Sequence, residues 1–135
     1  MTTIACTCSE IASDSQASDD TICHVKKLFR VPGGILGFSG VASSGPRLAY
    51  WLINERRGDP PDMDGTNAVL ITGVDIYLFD ESPHPYSLED KFAALGTGSM
   101  AALSAMHCGK TPAEAVKIAA KIDPFTGGKI RTMVI

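Results

Sequence analysis

No apolar run in this chain approaches the roughly twenty residues that span a bilayer, and its start has neither the basic residues nor the hydrophobic stretch of a signal peptide. A membrane or secretory destination is therefore not expected, and the reading is a cytoplasmic protein. Lysine and arginine never cluster beyond two adjacent residues and the net charge is −3, which argues against a nucleic-acid surface or an anionic membrane. Internal repeats and low-complexity tracts are absent. Cysteine is sparse, with Cys6, Cys8, Cys23 and Cys108 only. Cys6 and Cys8 are two apart, on one face of an expected strand, and lack the two-residue gap of zinc ribbons. All four cysteines read as small buried hydrophobes in a reducing compartment, with a Cys-Cys-His site using His24 or His107 as the lesser alternative. Neither a metal nor a cofactor is expected.

What is present suits one globular domain over residues 1–135: 44% hydrophobic and 20% charged residues in a length that buries a core without disulfides. Ile4 to Cys8 and Ile11 to Gln16 read as strands joined by a turn at Ser9-Glu10, followed by a strand over Thr21 to Val25. Lys27 to Val31 and Ile35 to Phe38 flank Pro32-Gly33-Gly34 as a hairpin. A helix should start behind Ser43-Ser44-Gly45-Pro46 with a serine cap, carry Leu48, Trp51 and Leu52 inward, and stop at Arg56-Arg57-Gly58. Ala68 to Thr72 and Asp75 to Phe79 form a further hairpin around Gly73, with a loop through Pro83-His84-Pro85. Phe92 to Leu95 leads as a strand into Gly96-Thr97-Gly98. Two helices follow, over Ser99 to His107 and, behind Thr111-Pro112-Ala113-Glu114, Ala113 to Ile122, before a closing strand over Lys129 to Ile135. This order implies a layered α+β domain with sheets inside and helices outside.

Thr2 follows the initiator methionine, so removal of Met1 puts a hydroxyl and a free α-amine on one residue, the minimal equipment of a nucleophile that carries its own base. Behind it come, in order, Ala12-Ser13-Asp14-Ser15-Gln16, Val25-Lys26-Lys27-Leu28, Gly37-Phe38-Ser39-Gly40, Leu95-Gly96-Thr97-Gly98-Ser99 and Asp123-Pro124-Phe125-Thr126-Gly127-Gly128. The ordered set, covering Thr2 to about Gly128, resembles the proteasome β-subunit family, and most closely its bacterial HslV-type threonine peptidases. The resemblance implies a four-layer αββα sandwich of the N-terminal nucleophile hydrolase type and cleavage of peptide bonds through an acyl-enzyme on Thr2.

Residue by residue, the resemblance makes Lys27 the active-site lysine, a cation that lowers the pKa of the nearby hydroxyl and amine. Asp14 is its acidic partner, although an aspartate between serines is also ordinary turn chemistry. Gly40 matches the glycine whose N–H binds the tetrahedral oxyanion. Thr97 stands where relatives have a serine beside the N-terminal amine. Asp123 and Thr126 match an Asp-x-x-Ser-Gly element around the nucleophile, while Pro124 and Gly127-Gly128 read equally well as a helix stop. Strand facing and the approximate alignment make Ala17, Val25, Phe29, Phe38 and Ala42 candidate substrate contacts.

Two departures from the family qualify its partners. The span from Gly58 to Asn67 is too short for the second helix that relatives place after the first, and the chain ends soon after the last motif, so one outer helical layer is reduced. The intact helix pair lies where relatives contact one another between rings. A homo-oligomeric ring of six or seven subunits, single or doubled, is expected, acting on polypeptides, with docking to an ATP-dependent unfoldase less secure. A closed ring also answers a physical need, because an open peptidase site would cut its host's proteins. Two alternatives stay open: a proteasome-like ring without catalysis that serves as a scaffold, as retention of Met1 would imply, and an amidase of the same fold acting on non-peptide substrates.

Overall fold

The computed structural model describes residues 2–18 and 20–135. It is an α+β protein in which two larger sheets and three helices bury three apolar clusters.

The first sheet grows from the N-terminal hairpin. β1 (Ile4–Cys6) pairs antiparallel with β2 (Glu10–Ser13), Ala5 opposite Ala12, and the Thr7 hydroxyl accepts the N–H groups of Ser9 and Glu10 across the turn. The separate pair β3 (Gln16–Ser18) and β4 (Ile22–His24) follows. The second sheet is built from β5 (Leu28–Val31), β6 (Gly34–Ser39), β7 (Asn67–Ile71), β8 (Ile76–Asp80) and β9 (Tyr86–Leu88), in that spatial order, with α1 (Ser44–Ile53) between β6 and β7. The chain then returns to the first sheet with β10 (Ala93–Leu95), forms α2 (Ser99–His107) and α3 (Pro112–Ile122), and closes with β11 (Arg131–Val134), completing the order β10-β1-β2-β11.

Alternation along the strands decides what meets what. Ile4, Cys6 and Ile11 face the second sheet and pack on Leu28, Ile35, Val69 and Ile71. Ala5 and Ala12 face the other way, where they meet Ala102, Ala105, Ala115, Val116 and Ala119 of α2 and α3. Small residues on both sides let those helices lie close to the sheet. On the far face of the second sheet, Leu36, Phe38, Ala68 and Phe79 receive Leu48, Trp51 and Leu52 of α1. Gly45 lies on the Phe38 ring, where a Cβ would collide, so α1 is pressed onto that ring.

Several boundaries differ from expectation. The strand expected through Gln16 stops at Ser13, because the Asp14 carboxylate turns inward and the N–H groups of Ser15 and Gln16 both go to the Gly127 carbonyl rather than to a sheet neighbour. α1 ends at Ile53 and not at the arginine pair: Glu55 and Arg56 take left-handed φ of 57° and 60°, and the last turn carries no basic residue. Its expected serine cap is also absent, since Ser43 sits in a helical conformation with no side-chain capping bond. β9 follows the loop at Pro83-His84-Pro85 directly, in a stretch for which no strand was expected. α3, by contrast, has the full capping box, Thr111 accepting from Glu114 N–H and Glu114 accepting from Thr111 N–H.

All four cysteines are free thiols. Cys6 is buried, and burial pushes its thiol up to about 12. The reading of all four as buried hydrophobes is corrected for Cys23 and Cys108, which are exposed. Among the described residues no group of His, Cys, Asp and Glu is arranged to hold a metal ion, and no helix is long and apolar enough to cross a membrane.

Candidate active site

Thr2 and Thr3 lead into β1, an inner strand of the first sheet, and distant parts of the chain converge around them. Thr2 and Lys27 are nearly covered, and Asp14 is fully buried. Lys27, one residue ahead of β5, reaches three acceptors with its ammonium: Thr2 Oγ1 at 3.0 Å, Asp14 Oδ1 at 2.8 Å and the Gln16 carbonyl at 2.6 Å. An ammonium has three protons, and all three are engaged. Burial pulls the Lys27 pKa below its usual range, opposed by the hydrogen bond and the charge of Asp14.

Asp14 is held as tightly. Its Oδ1 accepts from Lys27 and from the Thr3 N–H at 3.1 Å, and its Oδ2 accepts from the Gly127 N–H at 3.1 Å. The pair is the one buried salt bridge among the described residues. Removing either partner would strand a buried charge, a change that costs about 3–5 kcal/mol in comparable pairs.

On the other flank, Asp123 caps the end of α3. Its Oδ2 accepts from the hydroxyls of Thr97 at 2.5 Å and Thr126 at 2.6 Å, and its Oδ1 accepts from the Phe125 N–H at 3.1 Å. Partial burial raises the carboxyl pKa, but the bonds from Thr126, Thr97 and Phe125 together outweigh it and hold the group below the usual carboxylate range. Thr97, expected beside the terminal amine, is thus seen as a donor to Asp123. The Gly96–Gly98 turn presses on the N-terminal segment: Gly98 N–H donates to the Thr2 carbonyl at 3.4 Å, and a Cβ on Gly96 would run into that carbonyl.

Thr2 and Lys27 line a cavity of about 460 Å³. The β3–β4 pair and the following Val25 supply Gln16, Ala17, Ser18, Cys23 and Val25 to the lining, and Phe38 of β6 with the segment just after that strand supplies Phe38, Gly40, Val41 and Ala42. Gly40 has φ of 123° and its hydrogen position points at Gly65 and Thr66, so no side chain fits there. The Thr66 hydroxyl accepts the next N–H, that of Val41, and holds the turn against the β7 entry. Among the described lining residues Lys27 has the one charged side chain.

Of the expected contacts, Ala17, Val25, Phe38 and Ala42 stand in this cavity and Phe29 does not. Phe29 stacks on Phe38 at 6.2 Å between centroids and packs with the α1 cluster, because β5 begins after Lys27 and runs away from the cleft. Three contributors were not among the expected site residues. Thr3 bonds to both Asp14 and Thr126, the Gln16 carbonyl takes a Lys27 proton, and Cys23 lines the cavity. Thr3 had a sequence signal in a second hydroxyl beside the first, and Gln16 closes one of the ordered motifs, whereas Cys23 had none. Met1, whose removal the expected role of Thr2 requires, lies outside the described residues.

No protein-family model matches the chain, and no curated protein sequence does. Among solved structures it is similar to Thiobacillus denitrificans BPH, at 17% identity and TM-score 0.74 over 99% of this chain and 96% of the other. The structure of that protein in complex with epoxomicin matches with the same identity and TM-score, over 99% and 97%. Eukaryotic HslV from Trypanosoma brucei matches at 18% identity and TM-score 0.73, over 98% of both chains. The chain therefore has the HslV- and proteasome-type fold across nearly its whole length.

Proposed function

We propose that this protein is a threonine peptidase whose nucleophile is Thr2, set free when Met1 is removed. The observation that carries the reading is the 3.0 Å bond from Lys27 Nζ to Thr2 Oγ1 at the edge of an open cavity. Because the ammonium already gives its proton to Oγ1, the hydroxyl's own proton must point elsewhere. In the mature chain the α-amine on the same residue is the base within reach, with an ordinary pKa of about 8.

The steps follow from the residues. The amine takes the hydroxyl proton, Oγ1 attacks the carbonyl carbon of a peptide in the cleft, and the N–H at Gly40 faces the oxyanion that develops. The amine returns the proton to the leaving nitrogen, the C–N bond breaks, and an ester on Thr2 remains for water to hydrolyse. Lys27 keeps positive charge beside the reacting oxygen, and Asp14 holds Lys27 in place. Thr97, Asp123 and Thr126 hold the N-terminal segment from its other side. Ala17, Val25, Phe38 and Ala42 contact the substrate.

The wider reading is a single domain over residues 1–135, a four-layer αββα sandwich with α1 alone on one outside, supported by the three successive clusters between helix and sheet, sheet and sheet, and sheet and helices. It assembles as a cytoplasmic ring of six or seven copies, single or doubled, that encloses its sites. Docking to an ATP-driven unfoldase would use the side carrying α1.

Thr2→Ala in the processed protein should abolish hydrolysis of fluorogenic peptides and covalent labelling by epoxyketones. Retained turnover in that variant would refute the nucleophile.

A further inference from the structure

Behind the proposed nucleophile stands a row of hydroxyl and carboxylate groups whose protons can be counted. Asp123 is held as a carboxylate and has no proton to give. Its Oδ2 is bonded by both Thr97 Oγ1 and Thr126 Oγ1. Each threonine hydroxyl has one proton, and each spends it on that oxygen. Thr126 Oγ1 also lies 2.7 Å from Thr3 Oγ1. With its proton committed, Thr126 can only accept there, so Thr3 is the donor. The chain of bonds runs one way, from Thr3 to Thr126 to Asp123.

Thr3 has no exposed surface. Its N–H donates to Asp14 Oδ1 at 3.1 Å and its carbonyl accepts the Asp14 N–H at 3.2 Å. The residue is thus tied to Asp14 through its backbone and to Asp123 through its side chain. The glycine opposite supports the same account. Gly98 has φ of −91°, which any residue adopts, so backbone freedom is not what this position requires. A Cβ there would run into Thr3 Oγ1, and would stand 3.2 Å from Thr126 Oγ1 and 3.0 Å from Ala119 Cβ. Its missing side chain makes room for the hydroxyl pair.

We infer that Thr3 is a positioning residue for the Thr2 nucleophile: by donating to Thr126 while its backbone holds Asp14, it locks the first peptide unit of the mature chain between the two carboxylates. Thr3 touches neither substrate nor the reacting oxygen, and its effect passes through the orientation of residue 2. The inference deepens the peptidase reading and rests on it for its catalytic part.

The test uses Thr3→Val, which keeps shape and removes the donor, and Thr3→Ser, which keeps the donor. Thr3→Val should lower kcat by about tenfold to a hundredfold, as small misplacements of reacting groups do, with KM within about twofold. Thr3→Ser should recover most of that kcat. Gly98→Ala, which displaces the hydroxyl from outside, should repeat the Thr3→Val effect. In thermal unfolding, Thr3→Val and Thr126→Val should be clearly non-additive, since each removes the Thr3–Thr126 bond.

Additive shifts in unfolding overturn the hydroxyl pair. A Thr3→Val enzyme with wild-type kcat, or a Thr3→Ser enzyme as slow as Thr3→Val, overturns the positioning role. A wild-type processed chain that neither hydrolyses peptides nor labels at Thr2 removes the peptidase reading and the positioning role with it, while the unfolding cycle still decides the bond.

Discussion

The two flanks of the N-terminal segment do the same mechanical task with opposite materials. On one side Lys27 and Asp14 form a buried ion pair with every proton of the ammonium assigned. On the other, Asp123 gathers two threonine hydroxyls and a backbone N–H in a region that water reaches. A buried ion pair tolerates no loss, because removing one partner leaves the other's charge without a counter-charge away from water. Hydroxyls around a half-exposed carboxylate can be replaced in part by solvent. Rigidity is therefore concentrated where charge meets the hydroxyl of Thr2, the proposed nucleophile, and the adaptable flank is the one around Asp123.

This asymmetry can be broken most severely at Lys27. Lys27→Met should reduce peptide hydrolysis by about a thousandfold or more and cost about 3–5 kcal/mol in urea unfolding, because Asp14 is left charged and buried. If stability hardly changes, the two flanks are energetically alike and the contrast fails. Asp123→Asn should be milder: about a tenfold to a hundredfold fall in kcat and about 1 kcal/mol of stability, because an amide oxygen still accepts from the threonines. A loss equal to that of Lys27→Met would reverse the ranking.

The smallest effect sharpens the comparison through pH. The Asp123 carboxyl lies below its ordinary 3.8 in the folded chain, so between the folded value and 3.8 the unfolded chain binds more protons. Its contribution is complete above 3.8 and is lost as pH falls through the folded value. The gap in melting temperature between wild type and Asp123→Asn should accordingly narrow on acidification from pH 6 to pH 3. Lys27 has the same sign at the alkaline end: its folded pKa lies below 10.5, so stability from this group rises with pH across that window. A melting-temperature gap that stays constant from pH 6 to pH 3 would show that Asp123 contributes no pH-linked stability.

Much of the frame was legible locally. Alternation in Ile4 to Cys6 and the Pro32-Gly33-Gly34 turn announced hairpins that are present, and Thr111-Pro112-Ala113-Glu114 announced a helix start that carries both capping bonds. Thr2, Asp14 and Lys27 followed from ordered motifs and stand in one hydrogen-bonded cluster. Illegible features have a shared cause. The expected helix end at Arg56-Arg57 rested on charge, yet backbone geometry at Glu55 and Arg56 closed α1 first. Phe29 shares strand parity with Lys27, and parity could not reveal that its ring belongs to the α1 cluster.

The amino-acid order alone marked most of the segments that are strands and helices and pointed to the residues proposed to carry chemistry, because period, turn and capping preferences act across a few neighbouring positions. Tertiary structure alone decided that β2 stops at Ser13, that Thr3 meets Thr126 across 123 positions, and that Gly98 must lack a side chain. Those outcomes depend on how closely α3 and the Gly96–Gly98 turn approach the N-terminal segment. That approach is set by small residues such as Ala5, Ala12 and Ala119 packing between sheet and helices, and it has no signature in any short stretch of chain.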